Sequence, residues 1–178
     1  MGWTTPRTWT DGELVTKVIM DQHVRDNFNS TTHVHLRKTA DQSVTSSVVV
    51  VNATDLGLTV AANEVWLCDW SLIYTGPTAG DLRIAFTFPT AGEFAQYAVY
   101  PDGAGTLQSG AFFTGTSPTA ELIFAVSQAT VRNALSIKGH FVNGGNAGTV
   151  QLQFAQGTSN ATATTLKQNS VLMACKIA

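Results

Sequence analysis

The sequence predicts a mainly β protein, an antiparallel β-sandwich or jelly roll preceded by an extended arm and one short α-helix. The first observation is composition: of 178 residues, 44% are hydrophobic and only 12% are charged. The second is the count of 25 threonines, because threonine is β-branched and favours strands. The third is a series of short stretches that alternate between apolar and polar residues and are separated by Gly, Pro and Asn turn signals. Many short strands at such spacing are typical of sandwiches and jelly rolls.

The same composition excludes several other classes of protein. A disordered chain combines low hydrophobicity with high net charge, whereas the net charge here is −2. A membrane-spanning helix needs about 18 or more consecutive apolar residues, and no run of that length occurs. With 10 basic against 12 acidic residues there is little to build a basic face for nucleic acid. We therefore expect neither membrane nor nucleic acid among the partners. Low net charge instead favours association with copies or with other proteins.

The chain divides into an N-terminal arm and helix, residues 1–32, and a β-sandwich domain, residues 33–178. We interpret the first part as an attachment segment. The charged residues concentrate there and in the junction that follows it, whereas long stretches of the β domain are nearly neutral. The start of the chain has no apolar region of the kind found in secretory signal peptides, so we expect synthesis in the cytoplasm.

One helix is predicted, over residues 16–29. Thr16 is a suitable N-cap, and Met20, Val24 and Phe28 recur at every fourth position to form an apolar stripe. A helix of this length is marginal alone in water, so it must dock on its own β domain, a neighbouring subunit or a larger particle.

The β domain contains several clear alternating runs. The strongest has Trp66 and Trp70 on its heavy face, where we expect them to be core residues. The last run is formed by Val171, Met173, Cys175 and Ile177. The two cysteines, Cys68 and Cys175, lie in such runs and are predicted to be buried free thiols, with a disulfide bridge as the alternative.

No catalytic or cofactor-binding motif is present, so we expect neither an enzyme nor a cofactor. His33 and His35 would share one face of a strand and would hold zinc only if a third ligand arrived; the alternative, which we adopt, is a pair of polar surface residues with no metal. Asp69 interrupts an apolar strand, and we expect it on the outward face or bonded to a turn. Glycine-rich residues 143–148 lie between two strands and indicate a hairpin or loop.

The remaining aromatic residues allow two interpretations each. Trp3 and Trp9 flank Pro6 in the polar arm, where they either anchor the chain to another surface or fold back onto the β domain. Loop aromatics such as Tyr97, Tyr100 and Phe113 either stack on sugars or belong to the core or a subunit interface.

The N-terminal sequence WTTPRTWTDGELVTKVIMDQHVRDNFN resembles the first segment of many small structural proteins of tailed bacteriophages, especially those that infect actinobacteria. The matching pattern is W-T-x-P-x-T-W, then G-E-x-V-T, then a helix with H-V-R-D-N, and it covers about the first sixth of the chain. Residues 148–177 also resemble the C-terminal strands of jelly-roll domains of phage fibres and head surfaces.

The resemblance implies a non-enzymatic virion protein that forms a homotrimer. Two locations compete: a capsid decoration protein on the head, which we favour because no long shaft follows the arm, and a small tail-associated or receptor- or carbohydrate-binding protein. The implied partners are copies of the chain and the major capsid protein or tail proteins, with a host glycan under the alternative. The candidate attachment contacts are Trp3, Pro6, Trp9, Met20, Val24, Arg25 and Phe28.

Overall fold

The computed structural model describes residue 5 and residues 7–30, 33–102, 104, 106–115 and 121–177, with residues 29, 30 and 110–115 described by their backbone alone. A helical segment comes first, with helix α1 at Lys17–Met20, a π-helical turn at Asp21–Arg25 and helix α2 at Asp26–Ser30. The strands that follow are β1 (His33–Arg37), β2 (Gln42–Val44), β3 (Val51–Val60), β4 (Val65–Thr75), β5 (Leu82–Thr87), β6 (Glu93–Pro101), β7 (Leu107–Gly115), β8 (Leu122–Phe124), β9 (Asn133–Val142), β10 (Gly148–Gln156), β11 (Thr164–Leu166) and β12 (Val171–Lys176).

The strands form two antiparallel sheets that make the predicted sandwich. The large sheet has the order β1-β12-β4-β9-β6-β7, with β2 and β11 beside it, and the small sheet has the order β3-β10-β5-β8. Strands distant in sequence pair in a nested way: β1 with β12, β3 with β10, β4 with β9 and β5 with β8. Nested antiparallel pairs split over two sheets are what a long hairpin produces when it wraps into a jelly roll. The β6–β7 hairpin extends the large sheet beyond this framework.

The core lies between the two sheets and is centred on aromatic rings. Trp70 and Trp66 are buried, which confirms the prediction for both. The Trp70 ring packs edge-on against Phe86 and Phe94, with centroid distances of 4.9 and 5.5 Å. Edge-to-face pairs of this kind add to the stability that area burial supplies. Tyr74 is also buried, and its hydroxyl donates to the Ala125 carbonyl at 2.7 Å. The large side chains on the inward face of β4 therefore pack between the two sheets.

The last strand, β12, buries the side opposite to the alternating run that was identified in the sequence. In β12 the buried side chains are Leu172 and Ala174, whereas Met173 is exposed. The reason is register: Leu172 lies opposite Trp70 of β4, so the two share the inward face. Both faces of β12 are apolar in sequence, so alternation alone does not decide which one is buried.

The two cysteines are free thiols, and only one is buried as predicted. Cys68 faces the core, and burial raises the pKa of its thiol to about 12. Cys175 is only half-buried, because it lies on the outward side of β12. Within the described residues, no helix has the length and apolar character to cross a bilayer.

Candidate interaction surfaces

The helical segment begins and ends close to the predicted bounds. The Thr16 hydroxyl caps it by accepting the Ile19 N–H at 3.4 Å, as expected. Arg25 pairs with Asp21 at 2.9 Å and with Asp26 at 2.8 Å, which fastens the middle of the segment. The π-helical turn at this point was not predicted.

The apolar stripe of this segment is exposed in the single chain. Met20 and Val24 are each 44% exposed and Phe28 is 80% exposed, while Val18 is 71% exposed. Clusters of exposed large apolar residues are characteristic of surfaces that bind other proteins. Their role as attachment contacts remains a prediction, but their side chains are accessible for it.

The arm that precedes the helix has a local order of its own. The Arg7 guanidinium lies over the Trp9 ring at 5.2 Å and pairs with the Glu13 carboxylate. Trp9 is nevertheless about half exposed. A ring held by a cation on one side keeps its other surface accessible for a partner. The other two residues of the predicted anchor, Trp3 and Pro6, lie outside the described residues.

A second candidate surface is the outward side of the large sheet, which we call the outer face. It is built from side chains of β1, β12, β4, β9 and β6 that point away from the core. Cross-strand register arranges them in rows, since paired residues of adjacent strands share a face. The two central rows are His33, Cys175, Leu67, His140 and Ala95, and His35, Met173, Asp69, Lys138 and Tyr97. A groove of about 880 Å³ lies over these rows.

Three histidines line this groove. His33 and His35 share an exposed face of β1, as predicted from their spacing. His140 joins them from β9, because β1, β12, β4 and β9 are neighbours in the sheet. In the described part of the chain, no group of three or more His, Cys, Asp or Glu side chains is arranged to hold a metal ion.

An ion pair crosses the groove floor. Asp69 is on the outward face, one of the two places expected for it, and its Oδ2 accepts from Lys138 Nζ at 2.7 Å. Through this hydrogen bond and its charge, Asp69 raises the pKa of Lys138. The other carboxylate oxygen, Oδ1, is buried and makes no hydrogen bond to any described residue. The pair neutralises the centre of the outer face.

The three aromatic residues considered for sugar stacking differ in their placement. Tyr97 is 47% exposed and lies at the groove, whereas Tyr100 is half-buried with its ring 4.9 Å from that of Phe124. Both lie in β6 rather than in a loop, because the strand extends to Pro101. The Phe113 side chain is outside the described residues.

The groove could not be found from the sequence as a unit. Its apolar members, Leu67 and Met173, lie in strands whose other side is also apolar. The available signal was Leu67, an apolar residue that shares the outward side of β4 with Asp69 and Ser71. Alternation within each strand does not show that β12, β4 and β9 are neighbours. Only the strand order of the folded sheet shows it.

Comparison with known proteins provides no further evidence about these surfaces. No protein-family model matches the chain, and no curated protein matches it. Solved structures of infectious bursal disease virus are similar over 82% of this chain at 11% identity for the Gt strain and 12% for the VP2 subviral particle, each with a TM-score of 0.20. The chain spans 41% and 40% of the length of those two chains. A likeness this distant carries no argument about fold or function.

Proposed function

We propose that this chain is a non-enzymatic structural protein of a tailed bacteriophage virion, which binds the particle surface as a homotrimer and stabilises the head as a capsid decoration protein. It works without a cofactor. The N-terminal segment is the attachment device, and the jelly roll is the rigid block that it holds on the particle. The partners are copies of the chain and the major capsid protein.

The observation that carries the proposal is the exposure of the apolar stripe Met20, Val24 and Phe28 on a capped helix. This stripe lies within the segment whose sequence resembles phage structural proteins. Burying three such side chains in a partner is worth on the order of 3–6 kcal/mol. Arg25, held beside the stripe by its ion pairs with Asp21 and Asp26, supplies guanidinium N–H donors that orient the contact.

The test is binding to particles that lack the protein, measured by co-sedimentation. The attachment variant combines Met20→Ser, Val24→Ser and Phe28→Ser. The matched control combines Val51→Ser, Leu107→Ser and Ile123→Ser, which remove exposed apolar side chains from the β domain.

We expect the attachment variant to bind at least about 100-fold more weakly than the unchanged chain, and the control to bind normally. Undiminished binding of the attachment variant would remove the N-terminal segment as the anchor. Equal loss in both variants would point to general surface hydrophobicity rather than to a specific contact.

The second candidate is a tail-associated protein that binds a receptor or carbohydrate. The observation that favours it is Tyr97, an exposed ring at a groove flanked by Lys138, Asp69 and His140. Aromatic rings with polar neighbours suit sugar rings, which combine apolar faces with hydroxyl groups. Saturable, roughly micromolar binding of host cell-wall glycan, abolished by Tyr97→Ala, would favour this candidate.

A further inference from the structure

The two outward faces of the sandwich differ in chemistry. On the small sheet, the outward side chains of the strands are mainly polar, and the exposed apolar residue Ile123 lies on the edge strand β8. On the outer face of the large sheet, exposed apolar residues extend across the inner strands. They are Leu67, Tyr97, Val142 and Met173.

These exposed apolar residues extend the groove into a broad apolar patch. Leu67 of β4 and Met173 of β12 lie in adjacent rows, and Val142 of β9 extends the patch beyond His140. Single exposed apolar residues need no explanation, but a contiguous set across neighbouring strands marks an interaction surface.

The size of the face is at the lower end for a subunit interface. Its five strands make it roughly 19 Å wide at about 4.8 Å per strand spacing, and strands that range from 5 to 11 residues are on average roughly 27 Å long. The resulting footprint, on the order of 500 Å² per partner, gives roughly 1,000 Å² in total, the lower limit for a specific interface.

The charges on the face favour a copy of the same chain as the occupant. The central pair of Asp69 and Lys138 is already neutral. At the β1 side stands Arg37, and at the β6 side stands Glu93, which makes no ion pair with any described residue. Around a threefold axis, the basic side of one copy's face lies against the acidic side of the next copy's face, a heterologous contact that closes into a ring of three.

We infer that the outer face of the large sheet is the surface through which copies of this chain associate with one another. The inference deepens the proposed function, on whose homotrimer it rests, by naming the surface involved. The N-terminal segment then remains free to contact the particle.

The test is sedimentation equilibrium of the full chain. The interface variant combines Tyr97→Lys and Met173→Lys, and the matched control combines Thr59→Lys and Thr87→Lys on the outward side of the small sheet. Circular dichroism and thermal melting verify that each variant is folded. We expect an oligomer for the unchanged chain and for the control, and association weakened by at least about 100-fold in the interface variant.

A second measurement does not depend on any variant. Cys175 lies on the outer face and is half-buried in the single chain, whereas Cys68 is buried in the core. If copies associate through this face, maleimide alkylation of Cys175 slows as protein concentration rises from about 1 to 100 µM, a range that spans typical weak association constants. Alkylation that is independent of concentration in an oligomeric sample would overturn the inference.

Two further outcomes also contradict it. A monomeric unchanged chain at about 100 µM would show that the face is not a self-association surface. An interface variant that stays fully oligomeric would place the contact elsewhere. Particle binding separates the two proposals: an interface variant that stays oligomeric and still binds particles contradicts this inference alone, and an oligomer formed through this face that does not bind particles contradicts the proposed function alone.

Discussion

Glu64 shows how a single side chain at the end of the sandwich contributes to stability. Its carboxylate accepts the Ala61 N–H at 2.8 Å, Trp66 Nε1 at 3.1 Å and Lys176 Nζ at 3.0 Å. Burial by itself would raise the pKa of Glu64, but these hydrogen bonds and the Lys176 charge outweigh it and hold the pKa below its ordinary value. A carboxyl with a lowered pKa stabilises the folded state above its unfolded pKa and loses that contribution as the pH falls.

We therefore predict that Glu64→Gln lowers the free energy of unfolding at neutral pH by about 1–2 kcal/mol. The difference from the unchanged chain narrows as the pH drops below about 4.5, where the unfolded carboxyl gains its proton. Urea unfolding at several pH values measures both effects. Glu93→Gln is the control, because Glu93 is exposed. A deficit that stayed constant down to pH 3 would contradict the role of the charge.

Strand β12 is the element whose orientation the sequence did not decide. Val171, Met173 and Cys175 alternate with Leu172 and Ala174, so both sides are apolar and the period of two is ambiguous. The position of β12 between β1 and β4 resolves the ambiguity, because it turns Leu172 toward the core. By contrast, β4 has its largest residues, such as Trp66 and Trp70, on one side and Asp69 and Ser71 on the other, and its buried face was predicted correctly.

The orientation of β12 predicts different costs for two adjacent truncations. Leu172→Ala removes a buried side chain and should lower the free energy of unfolding by about 2–4 kcal/mol. Met173→Ala removes an exposed side chain and should change it by less than about 0.5 kcal/mol. Chemical denaturation at low protein concentration, where copies are separate, measures both. A larger cost for Met173→Ala would contradict the observed register.

The sequence correctly predicted the cap and the apolar stripe of the helical segment. It could not show which surface the segment contacts. The Thr16 cap and the stripe of Met20, Val24 and Phe28 depend on residues close in sequence, so local rules suffice. What the stripe contacts depends on a second surface, which local sequence does not encode. The resemblance of the segment to phage structural proteins supplies the candidate.

At the level of the whole molecule, the sandwich carries two candidate interaction surfaces, the apolar stripe of the helical segment and the outer face of the large sheet. The sandwich prediction followed from composition and alternation, but the nested pairing of strands such as β1 with β12 joins residues that are far apart in sequence. The outer face exists only because of that pairing. This explains why His33 and His35 were recognised together whereas His140 was not.

The account as a whole depends on the chain being attached to a virion. Imaging of particles assembled with a chain that carries a C-terminal tag tests this most directly. We predict tag density at regular positions on the head surface, and its loss when Met20, Val24 and Phe28 are replaced by Ser. Density on the tail would contradict the head assignment, and particles without any tag density would contradict the central claim.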